Sequence, residues 1–170
     1  MIFKALNFRR LSVIIKNFLF DMRYGALLGG TIKTRHAALG AYDIANSGYA
    51  DLKKIHELID MDQVEALVDV GCGKGRVINF WLSNYGNTKS IIGIELDKEV
   101  GEKTKNRFRK YGNVEIILGD VLDVEWKTSG TLLYYLNNPF DEKVLQKFLN
   151  ILSLQKNKTK IVYRNSKHAH

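Results

Sequence analysis

Cysteine and proline each occur once in these 170 residues, and no apolar run approaches the length of a bilayer span. The lone Cys72 excludes a disulfide framework and any multi-cysteine metal site, which fits a reducing compartment. The lone Pro139 gathers whatever constraint proline places on the backbone into one position. Near the N-terminus the longest charge-free stretch, Leu11 to Ile15, is cut by Lys16 and soon followed by Asp21. A membrane-spanning helix needs about 20 mostly apolar residues, so none is expected. The same break, without a small-residue cleavage site, argues against a signal peptide. The histidines His36, His56, His168 and His170 show no metal-ligand spacing, so no metal is expected. These absences point to a cytoplasmic chain.

The sequence is 45% apolar and 11% aromatic, enough to bury a sizeable core. Its net charge of +8 is unevenly spread. Residues 1–36 carry seven basic groups against one acid, residues 143–170 seven against none, and the middle twelve against seventeen. Basic ends attract phosphates, nucleic acid or acidic lipid, although a solvated lysine-rich surface is the commoner reason for them. Phe3, Leu6, Leu11, Ile14, Ile15, Phe18 and Met22 recur at helical spacing, with Lys4, Arg9, Arg10 and Arg23 mostly elsewhere. The expectation is an amphipathic helix packed on a domain, with a membrane-surface helix or an organelle presequence as alternatives. Gly29-Gly30 ends the first helical stretch, and residues 1–36 read as a basic helical extension with residues 37–170 as one domain.

Residues 31–50, rich in Ala, Gly, Tyr and Asn, suggest a loop or broken helix, and Tyr49 to Ile59 an amphipathic helix. A regular alternation follows. Strands are predicted at Ala66–Val70, Ser90–Glu95, Val114–Leu118, Thr131–Leu136 and Lys160–Tyr163, with helices at Arg76–Asn84, Lys98–Tyr111 and Asp141–Leu154. Strands alternating with helices imply an α/β fold, a doubly wound, mostly parallel sheet with helices on both faces. Ligands of such sheets lie beyond the carboxyl ends of the strands, where the strand order reverses. The loops to watch are Gly71–Gly75, Glu95–Asp97, Gly119–Val121 and Asn137–Phe140.

The first of these reads Asp69-Val70-Gly71-Cys72-Gly73-Lys74-Gly75-Arg76. Its glycines permit a tight strand-to-helix turn and let a ligand approach the backbone. A dinucleotide fingerprint needs its third glycine at position 76, where Arg76 stands, and the phosphate-cradling G-x-x-x-x-G-K-S/T pattern is absent. Glu95 ends the second strand twenty residues beyond Gly75, near the spacing at which a carboxylate accepts from ribose hydroxyls. Asp120 ends the third strand, placed to accept from an adenine amino group while Val121 covers the ring.

Taken in order, Asp69-Val-Gly-Cys-Gly-Lys-Gly, Ile92-Gly-Ile-Glu95, Gly119-Asp120-Val and Asn137-Asn-Pro-Phe140 resemble a class I S-adenosylmethionine-dependent methyltransferase with a Rossmann-like sheet, over about residues 42–165. The resemblance implies S-adenosyl-L-methionine as cofactor. Gly71, Cys72, Gly73 and Gly75 would run under its methionine arm, Asp69 would orient its amino group, Glu95 with Leu96 beside it would hold the ribose, and Asp120 with Val121 the adenine. It implies that Asn137, Asn138, Pro139 and Phe140 face the methyl group and its acceptor. Methyltransferases acting on nitrogen often carry Asp/Asn-Pro-Pro-aromatic here. This loop lacks the second proline, which leaves open whether Asn137 or Asn138 takes the polar role. Tyr42, Ser47 and Tyr49 belong to a segment that can close over the cofactor.

The expected acceptor is a nitrogen of a protein or small molecule, favoured over nucleic acid. A nucleic-acid base methyltransferase and a catalytically silent cofactor-binding module are the alternatives. The series Lys103, Lys105, Arg107, Arg109, Lys110 reads as a solvated helix face. The family's sheet normally ends in two further strands. Without them an exposed sheet edge is expected to favour pairing with another copy.

Overall fold

Ala66–Val70 forms β1, and all five residues are buried. Burial on both faces is the condition of a central parallel strand. A computed structural model describes residues 8–126 and 130–165, with nothing said of the side chains at 8–10. Phe3, Lys4, Leu6, His168 and His170 lie outside the described residues. β2 (Ser90–Glu95), β3 (Val114–Leu118), β4 (Thr131–Leu136) and β5 (Lys158–Tyr163) pair in parallel in the order β3-β2-β1-β4-β5. The order reverses between β1 and β4, so the strand ends meet in a crevice at that point.

Alternation along the strands separates two cores. Leu67, Ile91, Ile116, Leu133 and Tyr135 face a layer that includes Ile78, Trp81 and Phe108. Val68, Ile92, Ile94, Leu132, Tyr134 and Leu136 face Leu145, Phe148 and Leu152. The first layer draws on α2 (Tyr49–His56), α3 (Arg76–Tyr85) and α4 (Lys98–Phe108), the second on α5 (Glu142–Ser153). Asp97 and Asp141 begin α4 and α5, accepting from the amides of Val100 at 3.0 Å and Val144 at 2.9 Å. Each cap satisfies an amide that has no partner within the helix.

α1 (Phe8–Arg23) ends before the expected Gly29-Gly30, because Gly25 at φ +83° turns the chain out of the helix. Its orientation also differs from expectation. Leu11, Ile14, Ile15, Phe18 and Met22, the stripe expected to pack on the domain, are exposed. The helix is held instead through Phe20, Asp21 and the following Tyr24. Phe20 meets the Tyr49 ring at 4.1 Å, and Asp21 is 2% exposed. One carboxylate, Asp21, accepts from Arg76 Nε at 3.0 Å and Nη2 at 2.5 Å, from the Tyr49 hydroxyl at 2.7 Å and from the Leu28 amide at 3.3 Å. These directional bonds fix the rotation of the helix and turn its acid inward.

Residues 24–36, grouped on sequence with the extension, continue into a strap across the strand ends. Ile32 and Ile44 form an antiparallel bridge, and the Lys74 ammonium donates to the Gly29 carbonyl at 2.5 Å. Replacing Asp21 with Ala leaves the buried Arg76 guanidinium without its counter-charge. Urea unfolding of Asp21→Ala is expected to show a loss of about 3 kcal/mol, the scale of a broken buried pair.

Candidate functional site

The turn after β1 puts Gly71, Gly73 and Gly75 at φ +72°, +52° and +73°, a region L side chains rarely adopt. At Gly73 a Cβ would collide with Ile44 of the strap, and at Gly75 it would lie 2.7 Å from Phe108 Cε2. The turn is thus gripped from two sides with no room for side chains. Thr104 of α4 donates its hydroxyl to the Gly73 carbonyl at 2.8 Å.

Glu95, at the end of β2, is 4% exposed. One carboxylate oxygen accepts from the Gly73 amide at 2.6 Å, the other from the Asp97 amide at 2.9 Å. Burial raises its pKa, and these two N–H groups oppose the rise. After β3, Asp120 accepts from the Leu122 amide at 2.9 Å, so its backbone turns back along the sheet end.

The β4 loop separates the two asparagines. Asn138 sits at φ +48°, is buried, and its Oδ1 accepts from the Tyr163 hydroxyl at 2.8 Å. Asn137 faces the cleft. Its Nδ2 donates to the Ala45 carbonyl at 3.1 Å, and its Oδ1 accepts from Asn165 Nδ2 at 2.7 Å and Arg164 at 3.4 Å. Phe140 is buried edge-on to Phe148, ring centres 6.0 Å apart, so it walls the cleft rather than standing free.

The strap closes the remaining side. Ala41 pairs with Phe140, the Tyr42 amide donates to the Pro139 carbonyl at 2.9 Å, and the Asp141 amide donates to the Gly40 carbonyl at 2.8 Å. A narrow cleft results, with about 80 Å³ of free space. Gly71, Glu95, Leu96, Asp120, Val121, Asn137, Pro139 and Phe140 line it together. Asp69, Cys72, Gly73, Gly75 and Asn138 do not. Cys72 is buried under β2, where a Cβ on Gly93 would lie 2.9 Å from its sulfur, and burial pushes the thiol pKa up. Among the strap residues singled out on sequence, Tyr42 lines the cleft, Ser47 bonds the Tyr135 hydroxyl at 2.8 Å, and Tyr49 serves Asp21. Thr34, His36, Leu39 and Ile44 also line it and were missed, since no local pattern marks a strap that is defined by contacts distant in sequence.

Asp69 lies under the turn. It is 3% exposed, and its Oδ2 has no hydrogen-bond partner among the described residues. Burial first, and the nearby Glu95 charge second, push its pKa well above the ordinary carboxylate value.

The chain matches the family described as "Methyltransferase domain" over residues 67–153. It is 30% identical over 139 residues to a probable ribosomal RNA small subunit methyltransferase A of Methanosarcina barkeri, covering 76% of this chain and 47% of that one. It is 30% identical over 92 residues to the ribosomal RNA small subunit methyltransferase A of Persephonella marina, covering 53% and 34%. The chain thus spans less than half the length of these curated relatives. Among solved structures, an RNA methyltransferase from Salinibacter ruber in complex with S-adenosyl-L-homocysteine superposes with a TM-score of 0.53 at 22% identity, covering 74% of this chain and 82% of that one. These relatives overturn the preference drawn from the sequence for a protein or small-molecule acceptor over nucleic acid, because the curated ones are named for ribosomal RNA.

A carboxyl whose folded pKa is raised favours the fold when protonated. That contribution is complete below the unfolded pKa and constant below it. It is lost as pH rises through the window between the unfolded value and the raised folded one. Asp69→Asn removes the buried charge. Its melting temperature without ligand is expected to exceed that of the wild type by a few degrees at neutral pH, with the gap closing on acidification. Thermal melts across pH check both parts.

Proposed function

We propose, from the premise that this chain belongs to the class I S-adenosylmethionine-dependent methyltransferase family, that it transfers a methyl group to a base nitrogen of RNA. The observation that carries this reading is the shared cleft, in which Gly71, Glu95 and Asp120 line the same cavity as Asn137. The acceptor class is supported by the ribosomal RNA named for the curated relatives and by the acid-free basic stretch 143–170, which suits phosphate contacts.

The residues present fit S-adenosylmethionine. The partnerless oxygen of Asp69 offers an acceptor for the ammonium of a methionine arm, directly or through water. Glu95 would hold ribose hydroxyls, and Asp120 with Val121 an adenine. When bound, the cofactor supplies an electrophilic methyl group on a sulfonium. Asn137 Oδ1 would accept from an exocyclic N–H of the base, exchanging its present donors Asn165 and Arg164, and so hold the nitrogen lone pair on line. Positioning of this kind, with reacting atoms about 3–3.5 Å apart, supplies much of the rate of a direct displacement. The nitrogen loses its proton to solvent, so no general base is required of the chain.

The test is incubation with methyl-labelled cofactor and ribosomal RNA, followed by separation of RNA, protein and small molecules. Label in RNA is expected; label confined to protein or small molecules would overturn the acceptor class. Calorimetry on Glu95→Gln is expected to show cofactor affinity weakened about tenfold or more, the scale of a lost charge-assisted hydrogen bond. Asn137→Ala is expected to lower kcat about a hundredfold while cofactor affinity changes by less than about twofold.

A further inference from the structure

The apolar side of α1 faces away from the protein. At about 100° per residue, Leu11, Ile14, Ile15, Phe18, Leu19 and Met22 fall within an arc of about 140°. All six are exposed, Ile14 to 63% and Leu19 to 61%. A helix that served only to complete the core would turn this arc inward; here the Asp21–Arg76 bonds hold it outward.

Charge says what covers it. The helix carries Arg9, Arg10, Lys16 and Arg23 and a single acid. That acid, Asp21, is buried against Arg76, so every charge the helix offers to a partner is positive. Pairing two copies along this arc would bring cation against cation. A helix of 16 residues, about 24 Å long, with an outward apolar arc and only cations around it, suits the plane between acidic headgroups and acyl chains. No helix among the described residues is long and apolar enough to cross a membrane, so the helix would lie along the surface.

We infer that α1 is an interfacial anchor that seats the protein on an anionic lipid bilayer. The apolar arc enters the acyl boundary and Lys16 and Arg23 meet headgroup phosphates. No described residue of α1 lines the strand-end cleft.

The test is cosedimentation of the full chain with phosphatidylglycerol–phosphatidylcholine vesicles and with phosphatidylcholine vesicles alone. Binding to the anionic vesicles, weakened by salt, is expected. Ile14→Asp with Phe18→Asp is expected to lower the partition coefficient about tenfold or more, and Lys16→Ser with Arg23→Ser about fivefold per charge. Because Ile14 and Phe18 are exposed, the first pair is also expected to leave the melting temperature and cofactor binding unchanged, which separates a lipid-facing role from core packing. Failure of the wild-type chain to bind anionic vesicles, equal binding by Ile14→Asp with Phe18→Asp, or self-association abolished by that pair in a chain that binds no vesicles would overturn the inference.

Discussion

The carboxylate of Glu95 is the interaction on which the site depends. By accepting from the Gly73 amide on one side and the Asp97 amide on the other, it ties the glycine turn after β1 to the loop after β2. A carboxylate kept 4% exposed would be costly if unpaired, and two backbone donors offset part of that cost. The turn can then be free of side chains without being slack, because its shape is imposed from outside by Glu95, Thr104 and Ile44. The same constraint leaves Asp69 beneath the turn with one oxygen unsatisfied. A binding protein retains such a cost where a ligand offsets it.

A second buried carboxylate, Asp21, bonds Arg76 directly after the glycine turn. Asp21 gathers Arg76, Tyr49 and the Leu28 amide, and Asn79 donates to the Tyr49 hydroxyl at 3.2 Å. Burial, then the bond to Asp21, pushes the Tyr49 phenol well above its usual pKa, so the phenol keeps its proton and donates to Asp21 through the physiological range. A polar knot of this kind fixes one rotation of α1 where apolar contacts would tolerate several. The strap begins directly after it, so the position of the helix is passed on to the cover of the cleft.

The sheet was legible because its signals are local. β1 to β4 begin and end at the expected residues, since each is a short apolar run bounded by glycine, asparagine or charge. Glu95, Asp120 and the β4 loop were legible because strand ends in such a sheet converge whatever the sequence between them. The orientation of α1 was not legible: periodicity shows that a helix has an apolar side but not what that side meets, and the decisive Asp21–Arg76 pair joins residues 55 apart. The different surroundings of Asn137 and Asn138 were likewise set by a distant partner, Tyr163, whose hydroxyl donates to Asn138. Thr34, His36 and Leu39 reach the cleft only because Gly40, Ala41 and Tyr42 bond to the chain at residues 139–141, a pairing no window of neighbouring residues contains.

That last pairing bears on the order of assembly. The Asn137–Ala45 bond spans 92 residues, and its neighbours Tyr42–Pro139 and Gly40–Asp141 span about as many. Each can form only after β1 to β4 have brought the two ends together, because the loop-closure entropy must be offset first by contacts nearer in sequence. The roof of the cavity is therefore built on contacts distant in sequence, whereas the sheet beneath it grows from units that follow one another along the chain.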